Sequence, residues 1–240
     1  MSAVLAHENM PRRPLSTSPV GLGLDSDSAR WSMAETLERR GIKDPSVLDA
    51  MATVPRHLFV DPAIASRAYE DVALPIGLEQ TISKPSIVAR MVEIAARPVP
   101  FAERRAARVL EIGSGCGYQA AILAQVFGEV VSVERLRPLH QLAKSNLKLV
   151  PSKNIRLVFG DGHLGLVNSP PFHAIVVAAA IDGEIPEVLL HLIRVGGRLI
   201  APVSQHGRQR LCLVERFSFT DWHLSELDAV RFVPMLGGTR

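Results

Sequence analysis

Residues 109–118, Val-Leu-Glu-Ile-Gly-Ser-Gly-Cys-Gly-Tyr, constrain the fold more than any other stretch of the chain. An apolar strand runs straight into glycines at 113, 115 and 117 and then into a helical pattern. That order puts bare backbone and a helix N-terminus at the carboxyl end of a strand, where open α/β sheets bind nucleotides. Glycine there lets a ligand approach the main chain where a Cβ would collide.

Spacing narrows the ligand. A dinucleotide site uses G-x-G-x-x-G/A to seat a pyrophosphate, but Tyr118 stands three residues after Gly115 and the third glycine, Gly117, arrives early. Glu111, two places before Gly113, repels phosphates and suits a ligand carrying a sulfonium or ammonium charge. A second apolar run, Val130 to Val133, ends in Glu134, about 20 residues after the glycines, where a carboxylate accepts both ribose hydroxyls. A third, Ile155 to Phe159, ends in Gly160-Asp161-Gly162, with Asp161 placed to accept a hydrogen bond from an adenine amino group. Three acids at successive strand ends beside a glycine loop favour S-adenosylmethionine over NAD.

The rest of the chain agrees with such a sheet. Strands at 109–112, 130–133, 155–159, 172–179 and 198–202 alternate with helices at 118–127, 138–149 and after Pro186. Continuous apolar strands in βα alternation predict a doubly wound, mostly parallel sheet covered on both faces; together with the cofactor favoured above, the expectation is a Rossmann-like S-adenosylmethionine-dependent methyltransferase fold. Residues 209–215 and 222–233 read as a late strand pair, one antiparallel. Upstream, residues 29–60 have a helical pattern punctuated by Gly41 and by Asp44-Pro45, a helix cap followed by proline at the first helical position. Residues 69–82 read as a long loop, followed by a helix behind Pro85 whose first turn falls at Thr81 to Lys84.

The expected organisation is a disordered tail at 1–28, poor in periodic apolar residues, and one domain at 29–240. Within it, 29–100 form a helical cap with the active-site loop and 101–240 the cofactor-binding core. Of the 240 residues, 47% are hydrophobic, enough for a sizeable core. The excess of 27 Lys+Arg over 24 Asp+Glu is mild and contains no basic run, so no nucleic-acid partner is expected. No stretch approaches the roughly 18 apolar residues of a membrane span. Cys116 and Cys212 have neither a C-x-x-C partner nor zinc-type spacing. They are expected to be reduced thiols in a cytoplasmic protein, with no metal.

Segments along the chain resemble the protein-L-isoaspartate (D-aspartate) O-methyltransferase family. They are Val54 to Val60 (Val-Pro-Arg-His-Leu-Phe-Val), Ala68 to Asp71, Leu74 to Gly77, Gln80 to Ser83 (Gln-Thr-Ile-Ser), Val109 to Tyr118, Ser132 to Arg135, Gly160 to Gly162 and Arg231 to Pro234. The glycine loop alone indicates only a methyltransferase, whereas Pro-Arg-His-Leu-Phe and Gln-Thr-Ile-Ser point to this family. The resemblance implies methyl transfer from S-adenosylmethionine, leaving S-adenosylhomocysteine, to the α-carboxylate of isoaspartyl residues in damaged proteins, which starts their repair through a succinimide. It implies Ser83 as the active-site residue, with Thr81 and Ile82 of the same motif toward the substrate; Arg231 reads equally as a substrate residue contacting peptide carbonyls or a carboxylate and as a solvated edge-strand arginine. Its cofactor contacts fall on Gly113, Ser114, Gly115, Glu134, Asp161 and Gly162, with Glu111, Gly117 and Arg135 beside them. A monomer is expected.

The sequence departs from that pattern at Leu78-Glu79, where the family often has His-Gly, at His163, where Trp is common, and at Ala178, where Thr is common. The Leu78-Glu79 change bears on peptide preference rather than reaction type. Taken without the resemblance, Ser83 or Thr81 reads as a cap for the helix containing Pro85, Arg56 and His57 as packing and surface residues, and Cys116 as a small buried residue. Two rival functions stand beside the implied one. A methyltransferase acting on RNA, DNA or a protein amine would place Asn/Asp-Pro-Pro-aromatic after the fourth strand, where this chain has Ala178-Ala179-Ala180. A non-catalytic cofactor-binding protein would bind the cofactor and transfer nothing.

Overall fold

The computed structural model describes residues 27–150, 152–164, 166 and 169–240. All but the last two residues of the expected tail lie outside the described residues, and the first helix, α1 (Asp27–Arg39), already begins at Asp27. Helix α2 (Pro45–Thr53) starts as its sequence predicts, with the Asp44 carboxylate accepting from the Ser46 and Val47 amides. The buried Arg104 grips that same carboxylate with both terminal nitrogens, at 2.9 and 2.6 Å.

The segment read as a loop is a short antiparallel hairpin, β1 (Leu74–Gly77) and β2 (Gln80–Ile82). Its two-residue turn, Leu78-Glu79, has φ of 52° and 60°, the mirror-image turn that matches strand twist but that non-glycine residues adopt at a cost. Leu74 pairs with Ile82, and both point into the core. Long-range burial, invisible to local periodicity, therefore makes this a hairpin. Helix α3 (Pro85–Ala96) consequently starts after Lys84, and Thr81 and Ile82 belong to β2 rather than to a helical turn.

Five parallel-paired strands and two antiparallel ones then build the main sheet. They are β3 (Arg108–Ile112), β4 (Glu129–Glu134), β5 (Ile155–Phe159), β6 (Phe172–Val177), β8 (Ile193–Gln205), β9 (Arg208–Arg216) and β10 (Trp222–Ala229), in the order β10-β9-β8-β6-β3-β4-β5. A short β7 (Ile181–Asp182) pairs with β8. Helices α4 (Tyr118–Val126), α5 (Arg137–Leu149) and α6 (Glu187–His191) are the remaining crossovers. Helix α4 is buried nearly all round, as its apolar sequence requires.

The late strand pair is present, but its second strand stops at Ala229 instead of running to Val233. There the chain leaves the sheet: the Gln209 side chain takes both main-chain polar groups of Phe232, accepting from its amide at 2.6 Å and donating to its carbonyl at 3.1 Å. Pro234 then bridges Ala180 beyond β6. Two buried clusters fill the faces of the sheet. One joins α1 to α4 to the hairpin, and the other lies beneath β6, β8 and α6.

Candidate active site

Strand order reverses between β3 and β6, whose neighbours lie on opposite sides, and open α/β sheets bind ligands outside the carboxyl ends of strands at such a point. Gly113 follows β3 and Ala178 follows β6, so close that a Cβ on Gly113 would lie 3.5 Å from the Ala178 Cβ. Gly115 faces the hairpin: a Cβ there would come within 3.1 Å of the Ile76 side chain. The loop is held to β4, with the Gly113 and Ser114 amides donating to the Val133 carbonyl at 2.8 and 3.2 Å. A cavity opens above it, lined by Gly113, Ser114 and Gly115, by Glu134 and Arg135, and by Gly162.

Glu134 is nearly buried, and its two oxygens accept from the Gly115 and Leu136 amides, each at 2.9 Å. Each oxygen keeps a second lone pair for a ligand hydroxyl. Gly162 is forced to be glycine, because a Cβ there would lie 2.2 Å from the Ile112 side chain.

Three residues assigned to cofactor contact stand differently. Gly117 turns away from the cavity, and its missing Cβ makes room for Ala143 and Leu147 on α5, at 3.3 and 3.2 Å. Glu111 is fully buried beneath the loop, where it accepts from Ser132, whose hydroxyl in turn meets that of Ser114. Burial pushes its carboxyl up to about 8 against the opposing hydrogen bonds of Ser132 and Gln119, so it is neutral at neutral pH and offers a sulfonium no charge. The period-two geometry of β3 explains this: a residue two before the loop points into the sheet's packing, not over its end. Asp161 sits beside Gly162, but its carboxylate accepts from the Gly238 and His163 amides. Burial works to raise its pKa, yet these bonds outweigh it and hold the group below the usual carboxylate range. Arg135 donates to the Gly238 carbonyl at 2.8 Å, so residues 237–238 are tied down on both sides of the cavity's edge.

Thr81, Ile82 and Ser83 line the cavity from the opposite wall. Behind them a groove is lined by Thr81, Ser83, Lys84, Arg231 and Phe232, so the four residues assigned to the acceptor side come together although 148 positions separate Ser83 from Arg231. The cavity and groove share Thr81, Ser83, Ala178 and Val233. Neither Ser83 nor Thr81 caps α3: Lys84 holds the cap position without a side-chain bond. The Asp71 carboxylate takes the Ser86 amide in the first turn instead, at 2.8 Å.

Sequence reasoning missed Arg56 and the C-terminal stretch. Of the packing and surface roles expected for Arg56 and His57, Arg56 takes the packing one, but at the site: it is fully buried, stacked 4.8 Å over the Tyr118 ring, and donates to the Ser83 carbonyl at 2.8 Å. The available signal was its place in Val54 to Val60 among residues that bury. Ile76, Met235 and Leu236 also line the cavity, and no local pattern marks them. Cys116 is buried and its thiol is pushed up to about 11 by burial, which makes it unreactive.

The family described as protein-L-isoaspartate(D-aspartate) O-methyltransferase matches residues 28–240. A protein-L-isoaspartate O-methyltransferase from Burkholderia mallei is 54% identical over 218 residues, covering 90% of this chain and 66% of that protein. One from Burkholderia thailandensis is also 54% identical over 90% of this chain and 65% of its own length. The chain thus spans about two thirds of the curated relatives it matches. Among solved structures, a protein-L-isoaspartate O-methyltransferase superposes with a TM-score of 0.75 at 30% identity, over 87% of this chain and 66% of that one. A Plasmodium falciparum chain assigned to the same activity, solved with S-adenosyl-L-homocysteine, has a TM-score of 0.75 at 24% identity, over 86% and 98%.

Proposed function

Because the chain belongs to the protein-L-isoaspartate(D-aspartate) O-methyltransferase family, we propose that it methylates the α-carboxylate of L-isoaspartyl residues in damaged proteins, using S-adenosylmethionine. The observation that carries this reading is the junction at Ser83, where the cavity at the sheet's switch point and a second groove share Thr81, Ser83, Ala178 and Val233. The donor cavity fits the cofactor: its floor at Gly113 and Gly115 is bare main chain, and Glu134 presents a carboxylate at the end of β4. Glu134 would hold the ribose hydroxyls, Gly113 to Gly115 the amino-acid part, and residues around Asp161 and Gly162 the adenine.

When bound, S-adenosylmethionine supplies a methyl group on cationic sulfur, so a carboxylate oxygen adds its electron pair to that carbon while the carbon–sulfur pair returns to sulfur. An aspartyl-type carboxyl, with an ordinary pKa near 3.9, is already ionised at neutral pH, so the chain need move no proton. Its task is positioning, which contributes several kcal/mol when two reactants are held in line. Ser83, at the shared wall, orients the acceptor carboxylate by donating its hydroxyl. Thr81 and Arg231, which both line the groove, would contact the peptide, and the buried hairpin residue Ile82 holds this wall against the core. The apolar end of β6, Ala178 and Ala179, offers an acceptor amine no polar side chain, which favours a carboxylate over a planar nitrogen. We place the activity in the cytoplasm, carried out by a monomer. No described helix is long and apolar enough to cross a membrane.

Labelled methyl transfer to a peptide with one isoaspartyl residue, beside its normal aspartyl twin, tests the reading. Transfer to the first alone is expected, and transfer to neither with bound cofactor would refute it. Ser83→Ala should lower kcat/KM about 100-fold, the scale of removing one well-placed donor; full turnover would remove Ser83 from the mechanism.

A further inference from the structure

Arg56 is buried completely, yet its hydrogen bonds go to main-chain carbonyls and not to a carboxylate: Nε to Ala68 at 2.7 Å, and Nη2 to Ser83 at 2.8 Å and Val72 at 3.4 Å. Its remaining nitrogen, Nη1, is buried with no hydrogen-bond partner. Asp71, the carboxylate that acts on it from a distance, is already engaged by the Ser86 amide and by Arg40. An interior cation without a counter-ion is expensive, and a guanidinium does not escape the cost by losing its proton. This one lies directly behind the site, since both Ser83 and the Tyr118 ring it stacks on line the cavity.

We propose that Arg56 is a positioning residue for the acceptor: it fixes Ser83 through that residue's carbonyl and supplies the buried positive charge that the incoming carboxylate balances. The inference rests on the carboxylate acceptor of the proposed function. Three carbonyl dipoles hold the guanidinium in place without neutralising it, so its field reaches across the wall, where little water screens it. Methyl transfer consumes the acceptor's negative charge. A cation behind the wall therefore stabilises the ionised acceptor more than the partly neutralised transition state, and it gives the ester product no attraction. Its signature lies in acceptor affinity and in discrimination of acid from ester, not in the rate of the chemical step.

The test compares wild type, Arg56→Lys and Arg56→Met, each loaded with S-adenosylhomocysteine. Calorimetry measures binding of the isoaspartyl peptide and of its neutral α-amide and methyl-ester forms. Wild type should prefer the carboxylate about 10-fold or more, a difference of 1.4 kcal/mol. Arg56→Lys, which keeps the charge but not the fork of carbonyl bonds, should retain most of that preference, and Arg56→Met should lose it while cofactor affinity stays unchanged. A purely structural arginine predicts that Lys and Met variants fail alike, and that result, or a preference surviving in Arg56→Met, overturns the proposal. Should Arg56→Met not fold, the wild-type complex decides alone. The carboxyl of a 13C-labelled peptide should titrate below its free value when bound, and a value at or above it overturns the proposal. Methyl transfer by the same wild-type preparation shows separately whether the proposed function holds: peptide binding without transfer refutes that function and leaves the charge preference to be judged on its own.

Discussion

The wall formed by the ends of β3, β4 and β5 with the residues that follow them, within 111–136 and 160–162, and the wall formed by residues 74–84 face each other across one cavity, but different forces hold them. The first hangs from the seven-strand path of the main sheet. Its loop amides reach the Val133 carbonyl, Glu134 takes the Gly115 amide, and Glu111, Ser132 and Ser114 form a buried polar chain below. The second is a two-stranded hairpin, too small to be stable alone. It is held by its own Leu74 and Ile82, buried in the core, and by two side chains from elsewhere, Arg56 through the Ser83 carbonyl and Asp71 through the start of α3. The donor side therefore inherits rigidity from a sheet, whereas the acceptor side depends on a few anchors. Single substitutions should act differently on the two.

The largest effect is expected in the first wall. Gly162→Ala would drive a Cβ to 2.2 Å from the Ile112 side chain, an overpacking that costs about 3 kcal/mol. Urea denaturation and cofactor titration should both register it, and an unchanged midpoint would mean that this wall yields more than its packing indicates.

Glu111 should impose a pH dependence on the same wall. Its folded pKa of about 8 stands above the ordinary 4.5, so between these values the folded state keeps a proton that the unfolded chain has lost. Stability from this group falls as pH rises through that window, by up to ~1.4 kcal/mol per pH unit. Glu111→Gln mimics the protonated acid. It should stay within about 1 kcal/mol of wild type near pH 5 and exceed it by about 3 kcal/mol near pH 8; parallel stability profiles would show that Glu111 is ionised in the fold.

The smallest effect belongs to the hairpin. Glu79 has φ of 60°, a conformation that glycine adopts freely, so Glu79→Gly should stabilise the protein by about 1 kcal/mol. Thermal melting checks this, and a destabilised variant would show that the Glu79 side chain contributes more than its backbone costs. Such a result would narrow the difference between the walls.

The first wall was legible because each of its parts is local. Glycine spacing after β3 and acids after β4 and β5 fall within short segments whose periodicity places them at strand ends. Where local reading failed there, at Glu111 and Gly117, the residue lay on the right element but faced the packing below or the helix beside it. The second wall was legible only through resemblance. Residues 69–82 have no periodicity, and what makes them a hairpin is the burial of Leu74 and Ile82 against helices distant in sequence. Arg56 offered a polar side chain that by its type alone belongs outside.

By itself the sequence determined the alternating parallel sheet, the nucleotide turn at its switch point and the identity of Ser83 as a candidate, since all of these follow from spacing along one strand, turn or motif. Only the tertiary structure decided that Arg231 shares a groove with Ser83, that Arg56 lies buried behind it, and that residues 237–238 reach Asp161 and Arg135. Those facts depend on which distant segments exclude water together, and burial is a property of the packed whole that no segment carries alone.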